Sequence, residues 1–163
     1  MANEMLDVNE MLFDKFEPKL KNRFILEVDG IPSFLIKTAA RPEIPISEVE
    51  LNHINIKKYS AGSVEYSTVS LTLYDPISPS GAQIVMNWIR AHHEAETGRS
   101  GYGAMYQKDI TIIELGPVGD KISAWTLKKA WITSAAFGDL DWTAGEAQEI
   151  SLTLRYDYPV MEY

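Results

Sequence analysis

A mainly β fold with one α-helix on its flank is the architecture this sequence predicts, and three observations predict it. The stretch from Glu149 to Tyr158 alternates without a slip: Ile150, Leu152, Leu154, Tyr156 and Tyr158 fall on one side, Glu149, Ser151, Thr153, Arg155 and Asp157 on the other. Period-2 alternation rich in β-branched and aromatic residues marks a strand with one buried and one wet face, whereas a helix would spread the same residues around its circumference. Similar runs recur from Arg23 onward between glycine and proline breaks, enough for roughly six to eight strands. A single stretch, around Ile84 to His92, carries helical spacing instead.

In chain order, residues 1–22 read as an N-terminal arm and residues 23–163 as one β domain. Met5, Leu6, Met11, Leu12 and Phe16 make a short apolar helical stripe that Pro18 stops. Two readings of the arm stay open: a loosely ordered segment, or one that orders on a partner subunit. Phe24 to Asp29 and Phe34 to Ala39 read as strands, and Asp29-Gly30 between them signals a hairpin, lengthened by Pro32. Pro42 and Pro45 break the ladder. Ser47 to Lys58 is strand-like but changes phase near His53, as a β-bulge or two strands meeting at a bend would. Glu48 and Glu50 make the face opposite Val49 and Leu51 acidic. Tyr59-Ser60-Ala61-Gly62 reads as a turn, after which Val64 to Tyr74 resumes alternation.

Ser78-Pro79-Ser80-Gly81 supplies a helix start, with serine as cap and proline tolerated in the first turn. Ile84, Val85, Trp88, Ile89 and His92 follow on one face, Gln83, Asn87, Arg90 and Glu94 on the other, and Gly98 is the predicted stop, four or five turns on. Such a helix lies across a sheet. Residues 98–107 form a loop, Asp109 to Leu115 a strand, Gly116 to Asp120 a turn. Lys121 to Phe137 reads as a long strand region with Trp125, Leu127 and Trp131. The closing strand is predicted to end at Pro159, which cannot donate to a ladder.

Composition narrows the function. The 163 residues are 45% hydrophobic and 23% charged, the balance of a single globular domain. The net charge of −8 disfavours sequence-specific DNA binding, which needs a clustered basic face, but suits a surface that nucleic acid slides past. Without cysteine there are no disulfides and no thiolate metal sites. No apolar run is long enough to span a membrane and no basic-then-apolar leader opens the chain, so the expectation is a soluble cytoplasmic product.

Chemistry-bearing patterns are sparse. His92-His93-Glu94 with Glu96 is the one cluster of metal-ligand types, but adjacent helical histidines diverge by about 100° and His92 continues the apolar stripe. Gly101-Tyr102-Gly103 does not join a strand to a helix as a phosphate-cradling loop does. The acid pairs Asp139 with Asp141 and Glu146 with Glu149 have the residue types for acid–base work, yet read more simply as solvated turn carboxylates. No catalytic residue, metal ligand or cofactor is assigned, and the chain is not read as an enzyme. Its aromatic residues and strand edges point to assembly, because unpaired edges recruit other chains.

The segment Ser134-Ala135-Ala136-Phe137-Gly138-Asp139-Leu140-Asp141-Trp142, followed by Glu146 to Asp157, resembles the C-terminal signature of contractile-tailed phage tail tube proteins. There a turn with Asp-Trp or Asp-Tyr leads through a short loop into an alternating strand ending in Tyr-Asp. Asn22 to Val28 is similar to that family's opening strand, and the helix with Trp88 lies where the family has its main helix. The resemblance spans roughly residues 20–158.

What it implies is a structural virion protein folded as a β-sandwich or partly closed barrel, whose copies join into a continuous tube barrel. Hexameric rings stack into the inner tube of a contractile tail, with the sheath outside, the tape-measure protein and then DNA inside, and a baseplate and tail terminator at the ends. The place implied is the virion tail, assembled in the host cytoplasm, with viral genome ejection as its use. Alternatives of the same fold are a single-ring baseplate-proximal or terminator protein, and the tube of a contractile bacteriocin or type VI secretion system. In this frame Glu48 and Glu50 are candidate lumen-facing residues. The bent segment carrying Pro42, Pro45, His53, Tyr59 and Gly62 is the candidate inter-ring or inter-subunit contact.

Overall fold

The computed structural model describes residues 17–162, so the arm's apolar stripe from Met5 to Phe16 lies outside the described residues. Nine strands follow in order: β1 (Phe24–Val28), β2 (Ile36–Ala39), β3 (Ile46–His53), β4 (Ile56–Val64), β5 (Val69–Tyr74), β6 (Lys108–Leu115), β7 (Lys121–Ala136), β8 (Glu149–Arg155) and β9 (Tyr158–Glu162). Helix α1 (Gly81–His92) and the short α2 (Gly103–Tyr106) lie between β5 and β6. Seven strands form one antiparallel sheet in the order β1-β6-β7-β8-β5-β2, with β9 also on β7, while β3 and β4 pair apart.

The predicted closing strand is at the centre of the core. Ile150, Leu152, Leu154 and Tyr156 are buried, and β5 answers with Leu73, Leu71 and Val69 directly opposite the first three. Cross-strand apolar pairs on one face are the unit that stabilises such a sheet. The same core takes in Leu26 and Val28 of β1, Ile110 and Ile112 of β6 and Leu127 of β7, so the sheet curls around one apolar interior. It does not close: β1 and β2 end the path unpaired with each other. Helix α1 caps that interior with Val85 and Trp88, and Trp88 Nε1 donates to the Tyr106 carbonyl at 2.7 Å.

The sixteen-residue β7 makes the curl possible. Its first half pairs with β6 and β9, its second half with β8. The switch falls where Lys128 and Lys129 together face Asp109, a bulge with Lys129 at φ 53°. Bulges sharpen strand twist and turn sheet corners.

Four sequence expectations change. β1 and β2 are not a hairpin; Pro32 and the 3-10 turn Ser33–Leu35 carry the chain to the opposite sheet edge, with Leu35 buried at the corner. Helix α1 ends at His92 rather than at Gly98, because the His93 backbone turns extended, while Gly98 at φ 68° serves a tight loop in which its N–H reaches the Glu94 carbonyl. The Tyr59–Gly62 turn is instead the middle of β4. Tyr158 does not extend β8: the Asp157 N–H bonds the Lys128 carbonyl, the chain reverses, and Pro159 sits within edge strand β9 opposite Leu127, where a missing donor is tolerated.

Candidate functional site

Strands β3 and β4 form a free-standing two-stranded ribbon. Every residue of it is exposed except the half-exposed Gly62, and neither strand pairs with the main sheet. An isolated hairpin of this kind is marginal in water, and its own sequence should be polar if water were its partner. It is not polar. Val49, Leu51 and Ile56 stand along one face, Tyr59 on the other, and Ile54 at the tip is 90% exposed.

The register explains the phase change at His53. His53 faces Ile56 across a two-residue turn, so the sequence pattern reverses because the chain does. Ile54 takes φ 53°, a region that costs a β-branched residue about 1 kcal/mol or more. The bulge lies elsewhere, between Ile46 and Glu48. There Gly62 is required by close approach, since a Cβ would come within 2.5 Å of Ser47 Oγ.

The five segment residues named from sequence therefore distribute along one ribbon. Pro42 and Pro45 stand at its base, Gly62 at the bulge, Tyr59 midway and His53 beside the tip. Glu48 and Glu50 share one ribbon face with Tyr59 and Lys57. That face is less acidic than its β3 half suggests, because Lys57 Nζ pairs with Glu50 at 2.7 Å.

The chemistry-bearing clusters resolve into structural roles. The His92 ring packs on Tyr106, 4.5 Å between centroids, and on Trp131, and His93 Nδ1 lies 3.4 Å from Ser100 Oγ. Asp141 accepts from the Thr143 N–H and Oγ1, both at 2.9 Å, and these bonds hold its carboxyl below the usual range. Glu149 pairs with Lys37. Gly101 has no room for a side chain, a Cβ there meeting the Ala91 carbonyl oxygen at 2.1 Å. Among the described residues no three His, Asp or Glu side chains converge on a metal-sized site, and no helix is long and apolar enough to cross a membrane.

Sequence reasoning left one feature open, whether Trp142 covers its own sheet or a neighbouring subunit. The loop between β7 and β8 holds Leu140 and Trp142 almost wholly in solvent, at 84% and 105% exposure. An aromatic beside acids is ambiguous in sequence; in the structure the ring stands in solvent beside the Asx turn at Asp141.

The family model described as T4-like virus tail tube protein gp19 matches residues 20–159. Among solved structures, a chain of the anti-feeding prophage tube-terminating cap is similar at TM-score 0.75 and 19% identity, over 90% of this chain and 92% of that one. A chain of the PVC extracellular contractile injection system sheath–tube complex is similar at 0.72 and 18%, over 97% and 99%. The SPP1 tail tube gives 0.53 and 18%, over 88% and 78%. At these identities the likeness to solved structures is one of fold. Among curated protein sequences none matches.

Proposed function

The chain belongs to the family of T4-like virus tail tube proteins, and from that membership we propose that it polymerises as stacked hexameric rings into the inner tube of a contractile tail. The tube holds the tape-measure protein during assembly and conducts DNA during infection, within a sheath and between a baseplate and a tail terminator. Its place is the virion tail, built in the host cytoplasm. The family is one of structural tube proteins and not of enzymes.

The observation that carries the reading is the ribbon. A two-stranded element with Val49, Leu51, Ile54 and Ile56 in water gains its stability from a surface the single chain lacks. A neighbouring copy in the next ring supplies that surface, and Pro42, Pro45, His53, Tyr59 and Gly62 belong to the contact. The unpaired outer edges of β1 and β2 support closure of a barrel between copies, which satisfies their backbone groups. Glu48 and Glu50 face the lumen, where carboxylates keep phosphates from adhering.

A single-ring terminator is the second reading, favoured by the fold likeness to a chain of a tube-terminating cap. Negative-stain electron microscopy of the purified chain over a concentration series, with light scattering beside it, separates the two. Hollow tubes that lengthen with concentration are expected; rings that never stack support the terminator. A strict monomer even with a baseplate seed overturns both.

A further inference from the structure

We propose that the loop bearing Leu140 and Trp142 docks in the apolar pocket at the start of β1 on a second copy, a contact that deepens the assembly reading and rests on it. The loop is a built knob. Asp141 fixes it through two bonds to Thr143, the Ala144 N–H returns to the Asp141 carbonyl, and the indole of Trp142 stands free. A rigid, solvent-exposed tryptophan is the residue type that dominates interface energies once buried.

The pocket has the matching form. It measures about 280 Å³, with a floor that includes Phe24, Ile112 and Leu115 and a rim of Lys19, Lys21, Arg23 and Arg41. Among the described residues one carboxylate, Glu114, lines the pocket with those four cations, bonding Lys19 at 2.9 Å and Arg41 at 3.2 Å, so the described rim carries a surplus of positive charge. The knob carries the opposite sign. From Gly138 to Glu149 there are four acids and no lysine or arginine, and among the described residues only Glu149 has an ion pair, with Lys37. Asp139, Asp141 and Glu146 therefore meet the rim as the indole meets the floor, and Arg41, bonded to Glu114 through one nitrogen but with its side chain 67% exposed, offers a guanidinium face to the ring.

Within one chain the loop stands outside the pocket, which no residue from 138 to 149 lines. Lys37 in β2 pairs with Glu149, the β8 residue that follows the loop, whereas Arg41 beyond the end of β2 reaches the pocket. A contact between unlike patches on two copies is head-to-tail, which closes rings or continues as a helical stack.

Because the chain has no cysteine, introduced thiols are unique reporters. Full-length protein carrying both Ala144→Cys and Lys21→Cys, oxidised under assembly conditions, is expected to give a ladder of covalent oligomers. Copies carrying one thiol each should give a heterodimer when mixed. Adding Trp142→Ala should slow cross-linking about 30-fold, with Trp142→Phe recovering most of it. Tubes visible by electron microscopy without a ladder overturn the contact and leave the assembly reading standing. So does a Lys21→Cys thiol that instead links to Met11→Cys, since the arm would then fill the pocket. Absence of tubes and ladder together overturns both.

Discussion

The backbone N–H of Lys129 donates to the carboxylate of Asp109 at 3.0 Å, across the bulge where β7 leaves one half of the sheet for the other. The same carboxylate takes Lys128 Nζ at 2.8 Å. One acid thus holds both residues of the bulge, and with it the corner that lets β7 pair with β6 at one end and β8 at the other.

Replacing Asp109 by alanine should cost about 1–2 kcal/mol, read from urea unfolding at pH 7. The side chain is 51% exposed, so the ion pair itself is screened and most of the loss comes from the orphaned Lys129 N–H. The Lys128 bond, then the Lys129 N–H, lower the Asp109 pKa on folding. The unfolded chain therefore binds more protons in acid. The contribution is present above the ordinary aspartate pKa of about 4 and is lost as pH falls through the lower folded value. The alanine variant's deficit relative to the native chain should narrow over that window, since a protonated Asp109 keeps only a weaker acceptor for the Lys129 N–H; an undiminished deficit at pH 2 contradicts the mechanism.

Glu114 makes a graded test of charge against burial. Its carboxylate accepts from buried Ser123 Oγ and from exposed Lys19 and Arg41, with its own side chain only 15% exposed. Glu114→Gln should cost about 1–3 kcal/mol. A double-mutant cycle should couple Glu114 to Ser123 more strongly than to Lys19, whose side chain is 46% exposed and contributes less than about 1 kcal/mol. The reverse order would mean that the cation, not the buried hydroxyl, fixes this acid.

How much of this was legible follows from what each signal depends on. The β8 alternation and a serine cap depend on neighbours in sequence and both appear, the cap being Ser80, whose Oγ accepts from the Gln83 N–H at 3.4 Å, while Pro79 lies ahead of the cap rather than in the first turn. The pairing of β1 with β6, rather than with β2, depends on contacts far along the chain and leaves no local trace. The ribbon misled for a different reason. Tyr59-Ser60-Ala61-Gly62 has turn composition, but Gly62 is there for the bulge against Ser47, not for reversal. The phase slip at His53 was visible and was the true turn. Trp142 was visible as a residue, whereas its exposure depends on how the loop between β7 and β8 sits against the sheet, which composition does not reveal.

Gly101→Ala should destabilise by about 2 kcal/mol or more, a fall in melting temperature of about 4–8 °C. The added Cβ meets a backbone oxygen at 2.1 Å, which cannot swing away, and the Gly101 N–H is held to the His92 carbonyl at 2.8 Å. Gly145→Ala is the control, with nothing within 4 Å of its Cβ, and should stay within about 0.5 kcal/mol of native. Equal melting of the two variants would remove the packing account of the loop after α1.

Reversing Glu48 and Glu50 to lysine tests their position. If they line the lumen, tubes of the doubly reversed chain should retain short labelled DNA at low salt and protect it from nuclease, releasing it as salt rises to about 200 mM. Lys57, left without Glu50, adds to the positive field. Bound DNA that nuclease digests freely would put these residues on the outer surface instead.

Leu51→Asp and Ile56→Asp, made separately, probe the ribbon without touching the core. Both side chains are exposed in the single chain, at 50% and 70%, so neither variant should shift the stability of the unassembled chain by more than about 0.5 kcal/mol. In a stacked tube each would bury a carboxylate against apolar surface, costing several kcal/mol per contact or forcing the contact open. Light scattering should show the threshold for polymerisation raised at least tenfold while circular dichroism of the free chain is unchanged. The distinction matters because a ribbon important for folding would lower both together, and a ribbon that simply waves in solvent would lower neither. Only loss of assembly with the fold intact fits an element whose partner is another copy.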